Sequence, residues 1–273
     1  MQTLHIKIRP ARGWQALGLR QLWRFRDLLF ALAGRDVKLR YRQTVLGVAW
    51  VVLQPLLGAG IFSFVFGMVA KLDSNGAPYF LFSYSGLLGW NVFANTVSKA
   101  STSLMSNAPL ISKVYFPRLL LPLSTMISTL MDFVVALAMM FVLLAVHGFM
   151  PGTGLLLLPL WVMLALLLAM GVGLITAALS VSYRDVHHIL PVAMQFLLYA
   201  SPVAYSLKTV PEKYQALYHL NPLVSVLEGF RWSILGGQLD VRAVCYSTAV
   251  AVVLFIAGAF AFRRMERRFA DVI

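Results

Sequence analysis

Six apolar stretches alternate with short polar connections along the chain: Thr44–Val69, Pro78–Val97, Leu119–Val146, Gly154–Val181, Ile189–Tyr205 and Val241–Phe262. Each is about the length a helix needs to cross a hydrocarbon core of ~30 Å, with Ile189–Tyr205 at the short limit. The pattern predicts an all-α integral membrane protein of six transmembrane helices. Its connections then fall alternately on two sides, and the basic residues gather on one of them. Of 23 Lys and Arg residues, all but Lys71, Lys208, Lys213, Arg231 and Arg242 belong to the termini and the second and fourth connections. Positive charge collects on the cytoplasmic side of membrane proteins, so both termini are expected in the cytoplasm.

Three other segments refine this picture. Leu22, Phe25, Leu29 and Leu32 recur at helical spacing within Arg20–Tyr41, with Arg20, Arg24 and Asp27 on another face. This segment is too charged to span and predicts an amphipathic helix in the cytoplasmic interface, anchored by Trp23 and Phe30 and ended at Gly34. Asn221–Gly236 is apolar but too short to span, and predicts a re-entrant or interfacial helix on the outer face. Glu228 and Arg231, three residues apart, can share one face of it and neutralise each other. The second stretch mixes aromatic residues with Ser83, Ser85, Asn91 and Asn95. Lipid offers those polar groups no partner, so this helix is expected to face protein or a water-filled cavity and to continue past Val97 before turning at Asn107-Ala108-Pro109. Pro55 predicts a kink in the first span.

Composition agrees. The 273 residues are 60% hydrophobic and 12% charged, where a soluble domain carries about 25% charged residues. One membrane domain over 20–262 fits this length, with a basic arm at 1–19 and a tail at 263–273. The net charge of +13 sits beside apolar spans, which points to topology and anionic lipid rather than nucleic acid. Cys245 is the only cysteine, which rules out an internal disulfide and a cysteine metal site, and a small buried role is expected for it. No cleavable signal peptide is expected, since the first 43 residues are basic and lack an isolated apolar core.

Little chemistry is written into the chain. No G-x-x-x-x-G-K-[ST] loop occurs, so any ATPase that drives the protein is another polypeptide. Asp132 is the one acid near the middle of a span, and with no basic residue assigned to the same depth it reads as isolated. His187-His188 point about 100° apart on a helix, unlike i, i+4 metal ligands, so no metal is expected. No hydrolase constellation appears. Phe62, Phe66, Tyr79, Phe82, Tyr84, Trp90, Tyr199 and Tyr205, among other aromatics, gather in the outer halves of the first, second and fifth spans. They suit an interfacial belt, or a lining that stacks on sugar rings.

Arg35-Asp36-Val37-Lys38-Leu39-Arg40-Tyr41 followed by Thr44-Val45-Leu46-Gly47 and Trp50…Gln54-Pro55 resembles the start of the membrane subunit of type-2 ABC exporters of polysaccharide. Leu110-Ile111…Lys113-Val114…Phe116-Pro117-Arg118, Tyr183-Arg184-Asp185-Val186, Ser201-Pro202-Val203…Tyr205 and Asn221-Pro222 continue the resemblance in order, from about Trp23 to Phe262. It implies a homodimeric permease working with two copies of a separate ATPase that carries the ATP and Mg, and with no cofactor of its own. It implies export of undecaprenyl-diphosphate-linked glycan, with length and N-terminus most like the O-antigen type. Carried onto this chain, Arg20–Tyr41 and Ser98–Pro117 would meet the ATPase, with Arg24, Ser101, Asn107, Lys113, Arg184 and Asp185 as coupling residues. Asn221–Gly236 would gate the outer mouth through Glu228, Arg231 and Trp232. The aromatics named above would line the sugar path, and Arg35, Lys38, Arg40 and Arg42 would hold the lipid diphosphate. The competing expectations are a type-2 permease for a drug, small lipid, capsule or teichoic-acid glycan, and a secondary transporter that needs no ATPase.

Overall fold

A computed structural model describes residues 19–42, 47, 49–266 and 269. Residues 1–18, the Thr44-Val45-Leu46 run, Arg267, Arg268 and 270–273 lie outside this set, and so do the side chains of Arg20, Arg40 and Arg42. Every described element is a helix: α1 Leu19–Arg24, α2 Arg26–Arg42, α3 Ala49–Phe62 with its continuation Ser63–Val69, α4 Tyr79–Ser106, α5 Ala108–Lys113, α6 Leu120–Val146, α7 Leu158–Ser182, α8 Val186–Tyr199, α9 Glu212–His219, α10 Pro222–Leu235 and α11 Val241–Glu266.

Four helical stretches are long and apolar enough to cross a membrane: Ala49–Val69, Leu120–Val146, Thr153–Ser182 and Val241–Glu266. α4 is as long as these at 28 residues, about 42 Å at 1.5 Å per residue, yet less apolar. The others enclose it. α4 packs on α7, α6, α3 and α10, and Ser83, Ser85, Thr96, Ser101 and Ser103 are all buried. The helix whose polar residues called for protein neighbours is thus the centre of the bundle. Three of these hydroxyls are satisfied locally: Ser85 donates to the Phe82 carbonyl at 2.8 Å, Thr96 to the Val92 carbonyl at 2.7 Å and Ser103 to the Ala100 carbonyl at 2.7 Å.

Four expectations are corrected. The segment Ile189–Tyr205 is not one helix. α8 stops at Tyr199, about 21 Å long at 14 residues and short of the ~30 Å core. Pro202 has no N–H to continue the ladder and disfavours helix at Ser201, so the chain turns there. Gly34 does not end the interface helix. α2 runs through it to Arg42, since a glycine inside a helix costs only about 1 kcal/mol and Leu32 and Ala33 beside it are buried in the cluster around Leu120 and Phe262. The discontinuity falls at Phe25 instead, between α1 and α2. Pro55 lies inside α3, and the change of helical register comes further on, where the last turns widen to π type over Ser63–Val69. Cys245 is exposed on α11 rather than buried.

Leu22, Phe25, Leu28 and Leu29 pack against that same Leu120–Phe262 cluster, while Trp23 and Phe30 point outward at 70% and 61% exposure. The two faces of Arg20–Tyr41 are therefore as its spacing predicts. Next to the Leu120–Phe262 cluster α7 and α11 cross at glycines. A Cβ on Gly258 would collide with the Gly171 carbonyl oxygen, and one on Gly171 would lie 2.7 Å from the Leu254 carbonyl carbon. Backbones that close leave no room for a methyl group. Gly258→Val is expected to destabilise the detergent-solubilised protein by about 1–3 kcal/mol, measured as a lower midpoint in size-exclusion thermal challenge. Ala257→Val, one residue away, serves as the comparison.

Candidate functional site

Three polar sites lie along α4, one at each end and one near the middle. At its C-terminal end the chain turns at Asn107 into α5. Asn107 is buried, its Nδ2 donates to the Ser103 carbonyl at 2.8 Å, and its Oδ1 accepts from Arg35 Nη2 at 2.6 Å. The same guanidinium nitrogen meets Asp36 Oδ1 at 2.8 Å. α2 and the α4–α5 turn, two regions the sequence assigns separately to one partner, are thus tied together by a side chain. Arg35 is engaged within the protein, whereas Lys38 on the same helix is exposed. Nearby, Arg118 donates Nη1–H to the Glu266 carbonyl at 2.9 Å and its backbone N–H to Glu266 Oε1, and Arg263 reaches Glu266 Oε2 at 2.7 Å. This clasp fixes the end of α11 against the start of α6. Of the other coupling residues, Arg24, Lys113, Arg184 and Asp185 are exposed. Ser101 is not. It is fully buried where α4 crosses α7, and its carbonyl accepts from Ser180 Oγ at 2.9 Å. A contact role at the surface is therefore corrected for Ser101.

Near the middle, Asp132 is not isolated. Lys99 Nζ meets Asp132 Oδ2 at 2.7 Å and also donates to Thr129 Oγ1 at 3.2 Å and Ser128 Oγ at 3.3 Å. The side chains are only 14% and 9% exposed. The pair joins α4 to α6 beside a cavity of about 260 Å³ lined by Gln54, Asn91, Asn95 and Asp132. Counting Lys99 as a loop residue hid this pair, because α4 carries it two residues beyond the stretch that hydropathy marks.

At the outer end Arg231 is the centre. It is 3% exposed. Nη1 pairs with Glu228 Oε1 at 2.9 Å, and Nη2 donates to the carbonyls of Pro202 and Val203, the latter at 2.7 Å. The guanidinium stacks 4.1 Å above the Phe82 ring. A Cβ at Gly86 would overlap the Val203 oxygen and lie 2.7 Å from Arg231 Nη2, so glycine there makes room for the cluster. Burial pushes the Arg231 pKa down and the Glu228 carboxylate pulls it back up, which keeps the charge in place. The expected Glu228–Arg231 pair is present, and it pins α10 to α4 and to the turn after α8. Trp232 lies on the neighbouring face, against Gly154. With Glu228, Arg231 and Phe82 it borders a cavity of about 440 Å³.

The aromatics divide. Tyr84 is buried and donates to the Ala136 carbonyl at 3.0 Å, and Phe82 and Trp90 are buried as well. Tyr84 and Trp90 are core side chains packed against their own chain, whereas Phe82 stands beneath Arg231 at the edge of that cavity. Tyr79 donates to the Ala204 carbonyl at 2.6 Å, and Phe62 and Phe66 stack edge-on with ring centres 5.9 Å apart. Tyr205 bonds the Tyr199 carbonyl and the Tyr218 hydroxyl, each at 2.9 Å. Tyr199 is 60% exposed. No group of three or more His, Cys, Asp or Glu side chains suited to a metal occurs among the described residues.

A bundle of long apolar helices around one polar helix, with short helices at both ends, is the architecture of a multi-pass membrane protein. Residues 27–235 match the family described as ABC-2 type transporter, and the chain belongs to that family. It is 31% identical over 258 residues to the O-antigen export system permease protein RfbA of Myxococcus xanthus, covering 93% of this chain and 98% of that protein. It is 28% identical over 248 residues to a protein of the same name from Klebsiella pneumoniae, covering 90% and 95%. It is also 24% identical over 242 residues to the polysialic acid transport protein KpsM of Escherichia coli, covering 86% and 92%.

Breaking one half of a buried ion pair costs about 3–5 kcal/mol, whereas replacing both halves by apolar residues is near neutral. Lys99→Met and Asp132→Leu are each expected to lower unfolding stability by that order in a mild-detergent titration. The double variant Lys99→Met with Asp132→Leu is expected to recover most of the loss. Additive losses would show that the pair is not coupled.

Proposed function

We propose that this chain is the membrane-spanning permease subunit of an ATP-driven exporter that moves lipid-linked polysaccharide, most closely O-antigen, across the bacterial inner membrane. The carrying observation is the nearly end-to-end correspondence with two O-antigen export permeases. The distribution of polar structure supports it. A subunit without a phosphate-binding loop needs a separate ATPase, and two copies of each chain form the transporter in this reading. The face that would receive the ATPase is α2 with the α4–α5 turn, joined by Arg35 and Asn107. Arg24 and Lys113 supply exposed charge there, and Arg184 and Asp185 extend it.

The reading retains six membrane crossings with both termini in the cytoplasm. Four crossings are the long apolar stretches. α4 is the second, carried inside the bundle. The short α8 with the turn after it forms the fifth, and α9 and α10 fold back at the outer face before α11. The undecaprenyl diphosphate is held near Lys38, Arg40 and Arg42, where the positive charge of the segment faces the inner headgroups. Arg35 acts instead as the tie between α2 and α4. Phe62, Phe66 and Tyr199 carry the sugar-facing role, together with Tyr79 and Tyr205. Capsule-type glycan is the second reading, favoured by the likeness to a polysialic acid transport protein.

Deletion of the gene is expected to remove long-chain glycan from the cell surface while its lipid-linked form accumulates inside. Immunoblotting of surface and membrane fractions measures both. Changing the phosphate-binding Lys of the partner ATPase should give the same result. Unaltered surface glycan in either strain, or export that survives loss of the ATPase, refutes the proposal.

A further inference from the structure

The cavity beside Arg231 opens between α10, the turn after α8 and the loop before α4, and has no role in the account so far. At about 440 Å³ it is in the size range of small-molecule sites, ~300–1,000 Å³. Trp232 and Phe149 give it apolar surface, and Glu228, Asp240, Lys208 and His219 give it polar edges. The carboxylates are held in place. Glu228 is fixed by Arg231 at 2.9 Å, and Asp240 Oδ1 accepts the backbone N–H of Arg242 at 2.9 Å. The rim is fixed as well, since Asn75 Nδ2 donates to Ser206 Oγ at 3.3 Å.

Two nitrogens of this wall, His219 Nδ1 and Arg231 Nε, are buried with no hydrogen-bond partner among the described residues. Both are closed to solvent, so the charged groups left to meet a ligand are Glu228, Asp240 and Lys208. The charges indicate what kind of ligand. Glu228 and Asp240 balance Arg231 and Lys208, so neither a phosphate nor a cation finds a net attraction. A neutral ring carrying several hydroxyls can use the donors and acceptors together and lay its C–H face on the indole.

We propose that this cavity is a docking site for a neutral sugar unit of the glycan on the outer side of the permease. The inference rests on the glycan-export reading and adds to it a place where the chain is held after crossing. The site lies directly against the Arg231 cluster, so a bound sugar contacts the same α10 that this cluster pins to α4.

Cysteine protection on the intact permease–ATPase complex in nanodiscs tests it. Cys245→Ser removes the native thiol. Gln238→Cys then places a thiol on the cavity rim, and Glu212→Cys, outside the cavity, serves as control. The probe is an oligosaccharide released from the surface polysaccharide of the strain that carries this chain. At saturating probe a membrane-impermeant maleimide is expected to label Gln238→Cys at least about fivefold more slowly, as site occupancy requires, with Glu212→Cys unchanged. Adding Asp240→Asn, which keeps an acceptor for the backbone N–H, should weaken the protection severalfold. ATPase stimulation by lipid-linked glycan is measured on the same preparation. Stimulation without protection, or equal protection at both positions, overturns the docking site and leaves the export reading intact. Neither stimulation nor protection overturns both.

Discussion

The fold depends on a constraint that lipid imposes on α4. Its serines, threonines, asparagines and lysine have no partner in hydrocarbon, and an unsatisfied polar group there costs several kcal/mol. The bundle answers by enclosing the helix. α7 and α6 cover two of its sides, α3 and α10 further parts, and the hydroxyls of Ser85, Thr96 and Ser103 bond back to carbonyls one turn earlier. Lys99 cannot be satisfied in that way, because an ammonium needs a counter-charge. Asp132 on α6 supplies it, with Ser128 and Thr129 taking further protons. Both charged residues would be expensive alone. Together they fix the depth and rotation of α4 against α6, which apolar packing specifies only loosely.

The same logic governs the outer end. Arg231 enters a buried position because four partners meet it there: the Glu228 carboxylate, the Pro202 and Val203 carbonyls, and the face of Phe82. The turn around Ser201-Pro202 leaves backbone carbonyls without helical donors, as any helix end does. The guanidinium satisfies two of them at once. The end of α8 and the burial of Arg231 therefore support each other, since the turn offers two free carbonyls and the guanidinium holds both.

Much of this was legible in the residues, and the failures have physical causes. The long apolar spans, the two-faced Arg20–Tyr41 helix, the enclosure of α4 and the Glu228–Arg231 pair all follow from periodicity or spacing, which are local properties. Lys99 with Asp132 and Arg35 with Asn107 were missed as pairs because each joins residues distant in sequence. The one available signal was the helical continuation of α4 past Val97, which returns Lys99 to the membrane side of the turn. Tyr84 and Trp90 turn out to be core residues, because an aromatic residue near the interface suits a belt, a sugar path and a core equally well, and only neighbours decide. Ser101 failed for the same reason.

Consider what joins the two ends. α4 is a single uninterrupted helix of 28 residues. Its first turns hold the Arg231 cluster through Phe82 and Gly86, and its last residue adjoins Asn107, the partner of Arg35. A helix bends little without a proline, a glycine or serine pair or a bulge, and between Thr96 and Ser106 α4 has no proline or glycine, whereas its outer part carries Gly86 and Gly89. The stretch from Lys99 to the α4–α5 turn is thus stiff, and the glycines are where α4 can yield. This stretch moves relative to α6 only if Lys99 and Asp132 separate or α6 travels with it. Separation means parting two buried charges, so the lower-energy motion carries α4 and α6 together. At the outer end Arg231 binds α10 to the part of α4 that carries the glycines.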